Sequence, residues 1–214
     1  MKIDALITAG GKGSRIKEIG TEKPIINILG RPIIDYVIDA LKAANHIKDV
    51  YISVSPNTPL TKQHLKDMDV NVVDTSGEEY CIDLNYSMNQ MTTEEVFICP
   101  ADMPLLSPSG IDSVIEGYYK SGVHSYSVAA PYSLLTSLGI KPTYSLPVNG
   151  VQSVFCGVSV LDRLDMLSMK SLTEGYMLTE NIDLIINVNT VNELKIAEEV
   201  LASSNNQRLD TNLT

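Results

Sequence analysis

The chain has 214 residues and a mass of 23.4 kDa, which is enough for one sizeable domain with a single core. Hydrophobic residues make up 44% and charged residues 20% of it, so the composition excludes a disordered or fibrous protein. A formal net charge of -10 argues against nonspecific nucleic-acid binding, which needs a basic surface. The start is too soon interrupted by glycine and lysine for a signal peptide, and no apolar run reaches membrane-spanning length. We therefore expect a cytoplasmic protein with neither a membrane nor a nucleic acid as partner.

The predicted elements alternate between strands and helices along the chain. Mostly continuous β-branched runs predict strands over 3–8, 50–55, 70–74, 96–100, 126–130, 154–161 and 184–188. Helical patterns cover 32–44, 60–68, 80–91, 108–121 and 190–203; Pro32 and Pro108 suit a first turn, and Thr190 with Glu193 matches a capping box. This order predicts an α/β three-layer sandwich with a mainly parallel, Rossmann-like sheet, whose ligands lie beyond the carboxyl ends of the strands.

The domain boundaries follow from composition. Residues 1–203 are expected to form a single domain, and the polar residues 204–214 a frayed or disordered tail. Residues 132–150 are rich in Ser, Pro, Leu and Tyr without clear period, so we expect an inserted loop or short hairpin that covers the site.

A glycine-rich loop after the first strand is the strongest functional signal. Three glycines in four positions let a backbone approach a polyphosphate and direct its N–H groups toward it, and Lys12 and Arg15 add positive charge. The loop is basic within an acidic chain, because between positions 12 and 31 five cations stand against two anions. A plain glycine turn is the structural alternative. A P-loop is excluded by spacing, and Ile16 stands where a Rossmann fingerprint needs its third glycine.

Two further signals lie at predicted strand ends. Asp102 follows the apolar run 96–100, where a carboxylate can hold a Mg²⁺ ion that also binds phosphate oxygens; a turn aspartate is the alternative. Asn187 and Asn189 share one face of the last predicted strand and could contact the metal or a phosphate. The alternative is that Asn189 or Thr190 only caps the final helix.

Cysteine and histidine provide no comparable signature. The cysteines are widely spaced, without a Cys-x-x-Cys pair or a nearby histidine, so neither a disulfide framework nor a zinc site is indicated. The three histidines all lie outside the motifs described above. These six residues are Cys81, Cys99, Cys156, His46, His64 and His124.

The opening of the chain resembles a known enzyme family. Residues 6–15, with Lys23 and Pro24, resemble the A-G-G-x-G-x-R…K-P opening of the nucleotidyltransferases that include sugar-phosphate and molybdenum-cofactor transferases, and residues 100–104 resemble their x-D-x-P metal motif. The resemblance implies a nucleotide-diphospho-sugar transferase type of fold and a Mg²⁺ cofactor. It assigns the α phosphate to Lys23 and the metal to Asp102, and we add Asn189 from the strand-end pattern as a second metal ligand. The β and γ phosphates and the loop around them fall to Ala9, Gly10, Gly11, Lys12, Gly13 and Arg15.

A closer resemblance covers most of the chain. The segments 55–59, 74–77, 83–85 and 187–190 together are similar to the archaeal GTP:adenosylcobinamide-phosphate guanylyltransferases, the small enzymes of cobamide nucleotide-loop assembly. This resemblance implies a guanosine pocket, although each of its residue types also forms ordinary turns. Residues 154–159 resemble the acceptor-side stretch P-A-G-I-N but keep only Gly157 and an apolar frame. The implied pocket residues are Pro56, Asn57, Thr75, Ser76, Gly77, Asp83 and Asn85.

The implied reaction is transfer of GMP from GTP to a phosphorylated small molecule, adenosylcobinamide phosphate, with release of pyrophosphate. The nucleophile needs no general base, because a phosphate monoester already carries a charge of about -1.5 to -2 at neutral pH. A molybdenum-cofactor guanylyltransferase and a sugar-1-phosphate nucleotidyltransferase share these motifs and differ at the acceptor. A non-catalytic GTP-binding regulator would have lost the metal carboxylate or the lysine, and both Asp102 and Lys23 are present.

Overall fold

The computed structural model describes residues 1–14, 16 and 19–211, with side chains as far as residue 203. The strands of the described residues run in chain order as β1 Ile3–Thr8, β2 Asn27–Ile28, β3 Arg31–Pro32, β4 Ile47–Val54, β5 Asn71–Asp74, β6 Glu95–Pro100, β7 Ser125–Pro131, β8 Leu146–Val148, β9 Val151–Asp162 and β10 Glu174–Leu178. The α-helices in the same part of the chain are α1 Ile33–Ala43, α2 Pro59–His64, α3 Tyr80–Met88, α4 Pro108–Ser121, α5 Tyr132–Ser137, α6 Arg163–Leu167 and α7 Val191–Thr211. Short 3₁₀ turns cover Lys23–Ile25, Leu65–Asp67 and Ile182–Leu184.

One mixed, mainly parallel sheet organises the molecule. Its strands lie in the order β10-β7-β9-β6-β1-β4-β5, and β8 pairs with β9. β1 pairs in parallel with both β4 and β6, whereas β9 is antiparallel to β6, β7 and β8. The predicted fold class is confirmed, because helices cover a mainly parallel sheet on both faces.

The core follows from strands that are apolar on both faces. Leu6 of β1 belongs to a small cluster with residues of β4, β6, α3 and α6, whereas its neighbours Ala5 and Ile7 belong to the main cluster, which includes α1 and α4. All three of these β1 residues are fully buried. Because both faces of β1 are covered, its carboxyl end is held rigidly in the middle of the sheet, where the glycine-rich loop begins.

Helix α4 begins and ends where the sequence predicts, because both ends carry strong local signals. Ser107 caps it by accepting a hydrogen bond from the Gly110 amide at 3.1 Å, and Pro108 occupies the first turn. Gly122 ends the helix in the left-handed conformation, with φ of 66°.

The predicted strand over 184–188 is wrong. Leu184 ends the 3₁₀ turn, residues 185–188 follow as a loop that pairs with none of the described strands, and the Val188 amide donates to the Asp102 carbonyl at 2.8 Å. Leu184, Ile185, Ile186 and Val188 are nevertheless buried in the main cluster. An apolar run predicts burial but not sheet pairing, which explains the error.

The short elements β2, β3, β10, α5 and α6 were not predicted. The segment 132–150 consists of α5, a connecting loop and the first strand of the β8–β9 hairpin, whose two turn residues Asn149 and Gly150 both have positive φ. Helix α7 continues past residue 203 to Thr211, whereas the division into a domain and a disordered tail stays a prediction. Among the described helices, none has the length and apolarity needed to cross a membrane.

Candidate active site

The glycine-rich loop leaves the carboxyl end of β1 and packs against the segment after β4. The Gly10 carbonyl accepts hydrogen bonds from Ser55 Oγ at 2.7 Å and from Asn57 Nδ2 at 3.4 Å. A Cβ added to Gly10 would lie 3.1 Å from the Ser55 Cβ, so close packing favours glycine there. Gly13 has φ of 57°, the left-handed region that glycine adopts at no steric cost. Arg15, expected to hold phosphates, lies outside the described residues.

Lys23 and Asp102 meet beside this loop. The Lys23 ammonium donates to Asp102 Oδ2 and, at 2.9 Å, to Asn189 Oδ1. Asn187 Nδ2 donates to the other Asp102 oxygen at 3.1 Å. Asp102 is only 7% exposed, so the pair is shielded from water. The structure thus brings together the second and third sequence signals and the predicted lysine, although the two asparagines come from a loop and not from a strand.

Glu193 is a member of this cluster that the sequence analysis considered only as part of a helix cap. The residue is 7% exposed, and its carboxylate accepts a hydrogen bond from the Asn189 backbone amide at 2.6 Å. Thr190 Oγ1 caps α7 by accepting from the Glu193 amide at 3.3 Å. The cap is therefore Thr190, and the Asn189 side chain is directed to Lys23.

Beyond the carboxyl end of β5, Asp83 organises the turn that follows this strand. One Asp83 oxygen accepts from the Ser76 amide at 3.0 Å and the other from the Gly77 amide at 3.0 Å. Gly77 has φ of 70°, and a Cβ there would lie 2.6 Å from the Asn57 and Ser55 side chains, so only glycine fits.

A cavity of roughly 200 Å³ lies beside this turn, and its lining includes Thr75, Gly77, Asp83 and Tyr80. Of the expected pocket residues, Pro56, Asn57, Ser76 and Asn85 do not line it. Asn85 lies within α3, where its carbonyl accepts a hydrogen bond from Asn89 Nδ2 at 2.9 Å.

Two larger cavities meet at the lysine. The first, of about 380 Å³, lies behind the glycine-rich loop and is lined by Gly11, Gly13 and Tyr80 among others. The second, of about 370 Å³, lies under the 140–144 loop and β9, and Gly157 and Lys141 line it. The residues common to both are Lys23, Pro100, Asp102 and Asn189. A charged pair at the junction of two cavities is suited to transfer a group from a ligand in one to a ligand in the other.

Gly157 opens the second cavity from the β9 side. It has φ of 80°, and a Cβ there would meet Pro100 at 3.3 Å. Tyr80 and Lys141 were missed because neither residue type, standing alone in a helix or loop, signals a ligand site. None of the described residues that line these three cavities is a histidine.

Comparison with known proteins identifies the family. Residues 5–138 match the MobA-like NTP transferase domain, so the chain belongs to that family and is an enzyme, a nucleotidyltransferase. A relative of similar length is the adenosylcobinamide-phosphate guanylyltransferase of Methanocaldococcus jannaschii, 34% identical over 207 residues, with 93% of this chain and 97% of that protein covered. The probable molybdenum cofactor guanylyltransferase of Pyrococcus horikoshii is 32% identical over 121 residues, 56% of this chain and 59% of that protein. The predicted family is confirmed.

Solved structures show the same fold at low identity. CMP:2-keto-3-deoxy-manno-octonic acid synthetase, solved with CTP, superposes with a TM-score of 0.70 at 13% identity over 95% of this chain and all of that one. The 4-diphosphocytidyl-2C-methyl-D-erythritol synthase of Anaerococcus prevotii gives a TM-score of 0.68 at 14% identity, with 94% of this chain and 96% of that one covered.

Cys156 lines the second cavity, and its thiol is expected to be unreactive. Burial raises the pKa of Cys156 to about 12 and also raises that of Cys99. A raised thiol pKa lowers the thiolate fraction, so at about pH 8 iodoacetamide should label exposed Cys81 alone in the native protein and all three cysteines in urea. Mass spectrometry of the labelled protein measures this. Labelling of Cys156 in the native protein would contradict this expectation and make its thiol a candidate nucleophile in the second cavity.

Proposed function

We propose that the enzyme transfers GMP from GTP to adenosylcobinamide phosphate, giving adenosylcobinamide-GDP and pyrophosphate. The observation that carries the proposal is the position of Lys23, Asp102 and Asn189 at the junction of two cavities, one along the glycine-rich loop and one under β9. The similarity to the M. jannaschii guanylyltransferase supports this substrate pair, because it covers 93% of this chain and 97% of that protein.

The α phosphate of GTP would lie at the junction, with the β and γ phosphates along the glycine-rich loop. An oxygen of the acceptor phosphate attacks the α phosphorus, a new P–O bond forms, and the bond to the β phosphate breaks as pyrophosphate leaves. The acceptor phosphate is already ionised, so no residue has to remove a proton. Lys23, Arg15 and the loop amides are assigned to orient the phosphates and neutralise their charge.

A divalent cation fits the oxygen atoms at the junction. Asp102 and Asn189 already hold a cation, the Lys23 ammonium, between a carboxylate and an amide oxygen. Such hard oxygen ligands suit Mg²⁺, which typically takes one or two carboxylates and completes its shell with phosphate oxygens and water. We assign Asp102 and Asn189 as its protein ligands. The bound ion would neutralise the negative charge of the triphosphate.

The guanosine pocket is assigned to the cavity beside the 75–77 turn. Gly77, Thr75 and Asp83 line it, and Asn57 Nδ2 fixes the Gly77 backbone by donating to its carbonyl at 3.1 Å. This wall is held by hydrogen bonds before any ligand arrives, so polar atoms of the base would meet fixed partners. A fixed polar wall favours discrimination between bases.

A molybdenum-cofactor guanylyltransferase is the second candidate. The P. horikoshii relative supports it, but that similarity covers only 56% of the chain. A sugar-1-phosphate nucleotidyltransferase shares the opening motif and Asp102. The contact between Lys23 and Asp102 argues against a regulator that has lost its catalytic groups.

Replacing Asp102 by Ala is expected to abolish pyrophosphate release at ordinary Mg²⁺ concentration, because it removes the only carboxylate assigned to the metal. Circular dichroism should show a folded protein, since Asp102 lines the cavities. Asp102→Asn keeps the volume but removes the charge, so it should be similarly impaired. Near-normal turnover of folded Asp102→Ala would refute the metal assignment.

GTP should bind much more tightly than ATP when each is titrated calorimetrically with Mg²⁺. Adenine would leave pocket groups unpaired at a cost of about 1 to 3 kcal/mol each, and two such groups correspond to a preference of roughly 30-fold or more. Equal affinity for GTP and ATP, or tighter binding of CTP or UTP, would contradict the guanylyltransferase proposal and leave the family assignment unaffected.

Lys141 is expected to bind the acceptor phosphate. It lines the second cavity, and its ammonium has no hydrogen bond or ion pair among the described residues. Lys141→Ala should therefore raise the KM for the acceptor by about tenfold, the loss of one charge-assisted contact, without changing the affinity for GTP. Lys141→Arg should largely restore the wild-type KM for the acceptor. Lys120 is an exposed lysine on α4, and Lys120→Ala serves as the control. An unchanged acceptor KM would remove Lys141 from the site.

A further inference from the structure

Glu22, the residue immediately before Lys23, has both carboxylate oxygens engaged by helix α2. Oε1 accepts from the Leu60 amide at 2.7 Å, and Oε2 accepts from the Thr61 amide and Thr61 Oγ1, both at 2.7 Å. Thr61 is fully buried, so it has no access to water as an alternative partner. Three short bonds therefore attach the chain just before Lys23 to the first turn of α2.

The segment 55–61, which contains that turn, also reaches the nucleotide side of the site. At its other end, Ser55 Oγ donates to the Gly10 carbonyl at 2.7 Å, and Asn57 Nδ2 donates to the Gly77 carbonyl at 3.1 Å. A single short segment thus contacts the glycine-rich loop, the turn beside the candidate guanosine cavity, and Glu22.

Lys23 needs such an anchor. A lysine side chain is flexible, so the position of its ammonium depends on where its backbone is held. Before Glu22 the chain passes Gly20, which has φ of 75° and an open surface around it, and the described backbone bonds of this region are local turns such as the Ile16 amide to the Gly13 carbonyl at 3.3 Å. Glu22 is the first described residue after this loop that bonds to the segment 55–61.

We propose that Glu22 is a positioning residue that holds Lys23 in place for the transfer by anchoring it to the segment 55–61. The proposal rests on the function proposed above for Lys23. It assigns Glu22 no contact with substrate. Its carboxylate acts through the backbone amides of Leu60 and Thr61 and through the Thr61 hydroxyl.

A double-mutant cycle of Glu22→Ala and Lys23→Ala, read as the kcat of pyrophosphate release with saturating GTP and acceptor, tests the proposal. A misplaced catalytic group can cost about 10²-fold, so Glu22→Ala should lower kcat by roughly 10- to 100-fold. In the Lys23→Ala background, Glu22→Ala should lower kcat by less than about threefold, because the ammonium group that Glu22 positions is absent. Equal fold losses in both backgrounds would overturn the proposal in favour of a merely structural role.

Two variants separate positioning from helix stability. Thr61→Val removes one of the three bonds and should give a smaller loss than Glu22→Ala. Lys62→Ala breaks the exposed Lys62–Asp74 ion pair, of 2.7 Å, on the same helix and should leave kcat unchanged. If Lys62→Ala lowered kcat as much as Glu22→Ala, general loosening of α2 would explain both effects and the proposal would be wrong.

An acceptor-independent readout keeps this test separate from the proposed function. Lysines are reductively ¹³C-methylated, and the Lys23 NMR signal is assigned by its loss in Lys23→Arg. The signal should lie apart from those of exposed lysines because of the Asp102 contact, and should move toward them in Glu22→Ala but not in Lys62→Ala. An unmoved Lys23 signal in Glu22→Ala refutes the positioning role. Absence of turnover in the wild type with every acceptor would instead refute the proposed function.

Discussion

The contact of Lys23 with Asp102 and Asn189 is the interaction on which the site depends. It joins three segments that are remote in sequence, the turn after the glycine-rich loop, the end of β6 and the loop before α7. It requires β1 and β6 to lie side by side, and the pairing of Thr8 with Pro100 places both strand ends at one edge of the sheet. An ion pair that is largely removed from water is costly unless its remaining atoms are hydrogen-bonded, and Asn187 supplies such a bond to Asp102.

The sheet topology separates the proposed nucleotide and acceptor sites. Strands β1, β4 and β5 are parallel, and the loops after them form the proposed nucleotide side. On the other side of β6, the antiparallel strand β9 brings Gly157 to the second cavity, and the loop at 140–144 covers it. A site divided in this way would let the nucleotide half stay the same while the acceptor half varies, and the family match ends at residue 138, before that loop.

Local signals explain where prediction succeeded and where it failed. Helix α4 was predicted to the residue because Ser107, Pro108 and Gly122 act on their own neighbours. The prediction of a strand over 184–188 was wrong because its apolar residues are buried in the core as part of a turn and a loop. Whether such a segment finds a strand to pair with depends on the arrangement of distant strands in the sheet. β10 was not predicted because its sequence, Glu174–Leu178, is of mixed polarity. The strand lies at the edge of the sheet, where burial on both faces is not required.

The sequence by itself determined the glycine-rich loop, the carboxylate at the end of an apolar strand and the family to which they belong, because motif spacing and strand burial are properties of short segments. Tertiary structure alone decided that Glu193 holds the Asn189 backbone, that the Glu22 carboxylate bonds to α2, and that Lys141 and Tyr80 line the cavities. A carboxylate can bond to any free amide, and only the packing of distant segments determines which amides face it.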